Sequence, residues 1–179
     1  RDFCLSRGLG DVYKRQENKR DQALEYIHQI CTDIDNSCVI KYCKNEALNL
    51  ILSSYADQAK ESGIDVRISV TATNFTRFQI TDLCSLFANA LENAIHACEK
   101  IPTSEKRYIT LKVFEKNDRI CINIANNYIQ NPVFENEIPT SREANHGIGV
   151  RSMISVVEKY HGVYGFFTEN KEFRFQASL

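Results

Sequence analysis

The chain has 179 residues, of which 25% are charged, and its net charge is −1. That length is enough to bury a core and predicts one domain plus an appendage. The balanced charge excludes an overall field that would attract nucleic acid or a membrane surface, so we predict no nucleic-acid partner. The seven cysteines are odd in number and lack any C-x-x-C, which is typical of reduced, core-filling thiols in a cytosolic protein.

The first sixteen residues, RDFCLSRGLGDVYKRQ, share no pattern with the rest of the chain. Their lone G-x-G follows no predicted strand, and the stretch GLGDVYKRQ resembles a translated sequencing-adapter remnant. We therefore predict that residues 1–16 are extraneous and exclude them from the fold. The expected consequence is that the genuine N-terminus is not in this sequence.

Residues 17–43 predict one helix with a narrow apolar seam. Leu24, Ile27, Cys31, Ile34 and Cys38 recur at alternating three- and four-residue steps, the heptad spacing of a coiled coil. One helix cannot bury such a seam alone, so a partner helix is implied, either from a second copy or from missing sequence.

Residues 44–179 begin with a predicted helix over Asn45–Ser62, which Gly63 ends. Ile64–Val70 then alternates apolar and polar residues, which predicts a half-buried strand. A long amphipathic helix follows over Thr81–Lys100, and Thr81 or Asp82 is expected to cap it.

The rest of the chain predicts two hairpins separated by a long loop and a helix. The expected strands are Tyr108–Glu115 with Arg119–Asn126, and Val163–Phe167 with Glu172–Ala177; the helix is Val150–Tyr160. The loop, residues 127–145, lacks a sustained period and is long enough to suggest a lid or binding loop. We predict an α/β (α+β) two-layer sandwich, with helices on one face of a mixed, mainly antiparallel sheet.

A row of polar side chains runs beside the core-facing stripe of the long helix. Asn89, Asn93, His96 and Lys100 fall at i, i+4, i+7 and i+11, along one edge. Two asparagines one turn apart reduce helix stability, which calls for an explanation. The row is either a solvated edge or a ligand site built on a rigid element.

A second candidate site lies at the start of the later helix. His146-Gly147-Ile148-Gly149-Val150 stands directly before it in the sequence prediction. Glycines at a helix N-terminus let backbone N–H groups approach an anion, and the helix dipole favours negative charge there.

These motifs together carry a family resemblance. Asn89-Ala-Leu-Glu-Asn93-Ala, a strand ending in Ile124-Ala-Asn126, a long loop and Gly147-Ile-Gly149-Val150 resemble the N-box, the adenine-binding position and the glycine box of the Bergerat-fold ATPases. Within that superfamily the chain is most similar to the GHKL-type ATP-binding domain of peptide-receptor, quorum-sensing histidine kinases. Residues 17–43 are similar to the second helix of the dimerisation hairpin.

The resemblance implies a set of site residues. Asn93 would be the Mg²⁺ ligand, and Asn89 and His96 would face the nucleotide phosphates. Asn126 and Asn127, both expected to contact the nucleotide, replace the start of the usual Asp-x-Gly-x-Gly. Asn126 lies on the same side of its strand as Ile120, Ile122 and Ile124 and can accept from the adenine amino group. The alternative is that the two asparagines only form a turn. Further nucleotide contacts are expected from lid residues Arg142 and His146 and from the glycine box, Gly147, Ile148, Gly149 and Val150.

The resemblance also implies a function, with ATP and Mg²⁺ as cofactors. The domain would transfer the ATP γ-phosphate to a histidine of the dimerisation domain for phosphorelay to a response regulator. It would belong to a homodimeric, membrane-anchored parent and lie on the cytoplasmic side. The sequence contains no motif matching the phosphoacceptor, and His28 does not match one, so a non-catalytic dimerising interaction module is the alternative.

Overall fold

The structure, a computed structural model, describes residues 40–140 and 147–179, and Lys41–Leu179 form one compact unit. The helix predicted over 17–43 lies outside the described residues except for 40–43, which are not helical. The described helices are α1 (Glu46–Glu61), α2 (Ile80–Glu99) and α3 (Gly147–Lys159). The strands are β1 (Asp65–Val70), β2 (Tyr108–Lys116), β3 (Arg119–Asn127), β4 (Val133–Glu135), β5 (Ile138–Thr140), β6 (Val163–Glu169) and β7 (Glu172–Ser178).

Five strands form one sheet in the order β1-β2-β3-β7-β6. Strand β1 pairs with β2 in parallel, and the other neighbours pair antiparallel. Both predicted hairpins are present, closed by the two-residue turns Asn117-Asp118 and Asn170-Lys171, in which all four residues have positive φ. That backbone matches the twist of antiparallel strands. The predicted α+β fold with a mixed sheet is confirmed.

The register divides the sheet into two faces. Ile109, Leu111 and Val113 of β2 lie opposite Asn126, Ile124 and Ile122 of β3, and this side packs against the helices in one hydrophobic core. The alternate side chains, including Lys112 and Phe114, point to the other face.

No helix within residues 40–140 and 147–179 has the length and apolarity of a membrane span.

The described cysteines are free thiols in different surroundings. Cys43 and Cys98 are buried, and Cys84 and Cys121 are half-buried. Burial raises the pKa of Cys98 to about 11, so this thiol stays protonated at neutral pH. Cys43 and Cys98 thus have the core-filling role predicted from the sequence, whereas Cys121 lines the helix-free face of the sheet.

Helix α1 matches its prediction, but the start of α2 does not. Asn45 caps α1 by accepting from the Leu48 N–H at 3.1 Å. Helix α2 begins at Ile80 after Gln79, whose side chain makes no capping bond. The expected capping by Thr81 or Asp82 is therefore wrong, because the chain enters the helix earlier and both residues are already in its first turn.

Asp82 instead ties α2 to the end of α3. Its carboxylate accepts from the Lys159 ammonium at 2.7 Å and from the Tyr160 hydroxyl at 2.5 Å. The Tyr160 hydroxyl in turn accepts from the Gln79 N–H at 2.9 Å. The hydrogen bond from Lys159, followed by that from Tyr160, lowers the pKa of Asp82.

The segment between β3 and α3 differs from its prediction in two ways. A short hairpin, β4–β5, occupies part of the region expected to be an irregular loop, and its strands are only three residues each. Strands this short carry almost no period-two signal. Helix α3 begins at Gly147 rather than Val150, so the glycine box forms its first turn.

Arg107 joins the ends of α1 and α2. Its guanidinium donates to the Ile101 carbonyl, to the Ser62 carbonyl at 2.9 Å and to the Glu99 carbonyl at 3.4 Å. These carbonyls lie at helix C-terminal ends, where the helix dipole favours a cation. One half-buried side chain therefore holds two helix ends beside the start of β2.

We expect Arg107→Ala to lower the free energy of unfolding by about 2–3 kcal/mol, because several carbonyls lose a charged donor. Urea unfolding measures this loss. Arg67→Ala is the matched control, because the Arg67 side chain is 71% exposed and pairs with Asp65. A cost of about 0.5 kcal/mol or less is expected there. Equal costs for the two variants would contradict the role given to Arg107.

The lowered pKa of Asp82 predicts that the difference in stability between wild type and Asp82→Asn depends on pH. Because the folded-state pKa of Asp82 is lowered, its stabilising contribution is complete above the unfolded pKa of about 3.9. It is lost as the pH falls through the folded pKa. Urea midpoints measured from pH 7 to pH 2 should show the wild-type advantage shrinking only at the acid end, and a constant difference would contradict the assignment.

Candidate functional site

A cavity of about 330 Å³ lies between α2, α3, the helix-facing side of the sheet and the β4–β5 hairpin. Its volume falls in the range of small-molecule sites. Most of its walls are apolar, with a few polar side chains among them. It is lined by Ala90, Asn93, Ala94, His96, Ala97, Lys100, Ile124, Asn126, Tyr128, Gln130, Asn131, Pro132, Val133, Pro139, Thr140, Val150, Met153, Phe166, Phe173 and Phe175.

Three members of the polar row on α2 reach this cavity. Asn93, His96 and Lys100 all line it, and the first two are half-buried. The Asn93 Nδ2 lies 3.9 Å from the Met153 sulfur on α3. Since the two polar atoms of a carboxamide diverge, this contact turns Oδ1 away from Met153. The row is therefore a wall of the cavity rather than only a solvated edge.

Asn126 supplies the buried polar group at the end of β3. It is 2% exposed, lines the cavity, and lies opposite Ile109 and Phe173 in the sheet. Its Nδ2 donates to the Asn127 carbonyl at 2.9 Å. Asn126 is thus a strand residue with the inward parity predicted from Ile120, Ile122 and Ile124, not part of a turn.

Asn127 does not line the cavity. Its Oδ1 accepts from the Tyr108 N–H at 2.9 Å, and its Nδ2 donates to the Lys106 carbonyl at 2.7 Å. Both ends of this carboxamide hold the backbone entering β2. The structure therefore separates Asn127 from Asn126, although the sequence prediction grouped them, because the Asn127 carboxamide is bound to the Tyr108 N–H and the Lys106 carbonyl.

Asn89 forms a polar contact between α2 and α3 instead of a cavity wall. Its Nδ2 donates to the Ser85 carbonyl at 2.7 Å and lies 3.4 Å from the Ser152 hydroxyl. A Cβ added to Gly149 would lie 3.0 Å from the Asn89 Oδ1. The second glycine of the box thus permits the close approach of the two helices.

The residues of the glycine box also differ in their position relative to the cavity. Gly147 begins α3, Ile148 is 69% exposed and Val150 lines the cavity. The first N–H groups of a helix have no partner within it, so the first turn of α3 presents donors beside the cavity. Arg142 and His146 lie outside the described residues.

Several lining residues were missed by the sequence reasoning. The β4–β5 hairpin contributes Val133 and Pro139, Pro132 directly precedes it, and α3 contributes Met153. Ala90, Ala94 and Ala97, at helical spacing on α2, were a usable signal, because small side chains leave room beside a helix. No comparable signal marked the hairpin residues.

In the described part of the chain, no three His, Cys, Asp or Glu side chains come together as a metal site. The polar groups at the cavity are carboxamides, an imidazole, an ammonium and the N-terminal turn of a helix. Oxygen and N–H groups of these kinds, next to broad apolar walls, suit a ligand with a planar apolar part and an anionic part. The fold and the site thus define the class: an α+β domain with a cavity of small-molecule size between a helix pair and a mixed sheet.

Comparison with known proteins identifies the family. A family model described as the GHKL domain matches residues 78–179. The chain therefore belongs to the GHKL domain family, a class of ATP-binding domain found in histidine kinases. No curated protein sequence matches it.

Solved structures share the fold at low sequence identity. The nucleotide-free catalytic domain of histidine kinase ThkA has a TM-score of 0.60 at 15% identity, covering 77% of this chain and 94% of that one. The mycobacterial sensor histidine kinase MprB has a TM-score of 0.55 at 13% identity, covering 75% and 91%. Full-length ShkA in complex with AMPPNP has a TM-score of 0.51 at 12% identity, covering 74% and 28%.

The α2–α3 contact predicts an energetic coupling between Gly149 and Asn89. Gly149→Ala should lower the free energy of unfolding by about 1 kcal/mol, since the new methyl group presses on the Asn89 carboxamide. In an Asn89→Ala background the same change should be neutral or stabilising, because alanine is the better helix former. A double-mutant cycle by urea unfolding measures the coupling, and additive effects would contradict the contact.

Proposed function

We propose that this domain binds Mg-ATP and transfers its γ-phosphate to a histidine of a dimerisation domain, as the catalytic module of a sensor histidine kinase. One observation carries the proposal. Asn93 on α2 and the buried Asn126 at the end of β3 line the same apolar cavity, although they are 33 residues apart in the sequence. Membership of the GHKL family supports the same reading.

The residues present fit a nucleotide. The apolar walls, including Ile124 and Met153, suit the faces of a purine, and the Asn126 carboxamide is a buried polar partner for its edge. Asn93 offers a carboxamide oxygen, which suits Mg²⁺ because that ion takes few protein ligands and is completed by phosphates and waters. Bound Mg²⁺ would neutralise phosphate charge, and the first turn of α3 would add backbone donors.

Asn89 favours phosphoryl transfer over hydrolysis. In the hydrolases of the superfamily that the chain resembles, the position matching Asn89 is a Glu that takes a proton from water, and a neutral carboxamide cannot do so. The structure occupies the Asn89 amide with the Ser85 carbonyl and the Ser152 hydroxyl, which supports a structural part for it. In this reading, a histidine of the partner domain, not water, accepts the phosphate.

The finer assignment is to the peptide-receptor, quorum-sensing group of kinases. It is supported by Asn126-Asn127-Tyr128-Ile129-Gln130, which replaces the usual Asp-x-Gly-x-Gly after this strand. The parent protein in this proposal is a membrane-anchored homodimer whose cytoplasmic catalytic module passes phosphate to a response regulator. Arg142 and His146 are kept as proposed phosphate contacts.

Asn93→Ala tests the metal assignment. We expect the affinity for Mg-ATP to fall at least about tenfold, or about 1.4 kcal/mol, in calorimetric titrations. The affinity for adenosine, which carries no phosphate, should stay unchanged. Glu92→Gln is the matched control, because Glu92 is the exposed neighbour on the same helix.

Asn126→Leu should show a different pattern. We expect it to weaken ATP and adenosine alike, since it removes the buried polar partner of the base. If wild type shows no magnesium-dependent affinity for ATP, or Asn93→Ala leaves that affinity unchanged, the kinase reading fails. Circular dichroism confirms that each variant is folded.

The chain by itself should not become phosphorylated. The sequence contains no phosphoacceptor motif of the family, so labelled ATP should leave no acid-labile phosphate on the purified polypeptide. Label at His28, located by peptide mapping, would contradict the assignment of that residue as a non-acceptor.

A further inference from the structure

We propose that the helix-free face of the sheet docks an amphipathic helix with acidic flanks from a partner protein. A groove of about 400 Å³ crosses this face from β2 to β6, away from the nucleotide cavity. Among the described residues, the three helices pack on the opposite face of the sheet. This surface is separate from the nucleotide cavity, and docking on it does not depend on the proposed kinase function.

The groove contains an unusual group of exposed apolar side chains. Phe114 is 39% exposed, Val163 is 63% exposed and Phe167 is 52% exposed, and all three line it. Gly165 lies between the two β6 residues, and a Cβ there would lie 2.6 Å from the Phe167 ring. The far end of the Phe167 ring therefore covers the glycine and forms part of the floor. Exposed apolar groups collected in one depression mark an interaction site.

The charges around the groove specify the chemistry of the partner. Lys112 and Lys116 flank Phe114 on β2, and Arg119 lies opposite Lys116. All three are exposed, and within the described residues their side chains form no ion pair. Among the acidic residues on this face, Glu172 pairs with Arg174 and Asp65 pairs with Arg67, whereas Glu169 is exposed. Glu169 lies at the Phe167 end of β6, away from Lys116 and Arg119. The apolar floor and the basic rim of the groove together match a partner helix whose apolar stripe is flanked by Asp or Glu.

The direction of the groove favours a helix. Phe114 and Val163 lie in the same row of the sheet through Cys121 and Ser178, three strand spacings apart. That distance is about 14 Å, or between two and three helical turns. Apolar residues at i, i+4 and i+7 of a crossing helix would fill it. A concave floor also favours a partner that inserts side chains into it. Membrane surfaces, by contrast, are contacted by apolar groups that protrude from a protein.

The test uses three fluorescent peptides of about 18 residues with the full chain. One has a leucine stripe flanked by glutamate, one has lysine in place of glutamate, and one is the scrambled acidic sequence. We expect the acidic peptide to bind at least about tenfold tighter than the other two in fluorescence anisotropy. The double variant Lys112→Glu/Lys116→Glu should reverse the preference, so that the basic peptide binds more tightly.

Lys44→Glu/Lys60→Glu is the charge-matched control, because both residues are exposed at the two ends of α1. It should leave the preference unchanged, and all variants should keep wild-type affinity for Mg-ATP if the chain binds it. Equal binding of the acidic and scrambled peptides, or an unreversed preference, overturns the proposal. The proposal is also overturned if the chain sediments with phosphatidylserine vesicles but binds no peptide. It is likewise overturned if the chain forms a dimer that Phe167→Ser disrupts.

Discussion

The burial of α2 against the sheet is the constraint on which the site depends. Leu83, Phe87 and Leu91 are fully or almost fully buried, and each such side chain contributes about 1.5–3 kcal/mol. This stripe fixes the rotation of the helix about its own axis. Because Asn93 lies on the neighbouring edge of the same helix, its place at the cavity follows from the packing of the apolar residues.

Two polar contacts then fix α3 against α2. Asp82 holds the C-terminal end of α3 through Lys159 and Tyr160, and Asn89 meets the N-terminal end beside Gly149. The helices therefore run antiparallel, and the first turn of α3 lies next to the cavity. Asn89, which the family resemblance suggests as a phosphate contact, thus also sets how closely the two helices approach.

Most long elements were predictable because their periodic patterns are strong. Helix α1, helix α2 and both hairpins of the main sheet match the sequence prediction within a few residues. The β4–β5 hairpin was missed because three-residue strands carry too little pattern. The cap of α2 was misplaced because Gln79 is held by Tyr160, which is 81 positions away.

The sequence by itself determined the polar row on α2, the inward parity of Asn126 and the glycines at the start of α3. Local spacing is enough for these, since helix and strand periods place side chains on faces. Only the tertiary structure decided which of these residues share a cavity. It placed Asn93 and Asn126 there, assigned Asn89 to the helix pair and gave Asn127 to the backbone before β2. The reason is physical: a face becomes a wall only when another element packs opposite it.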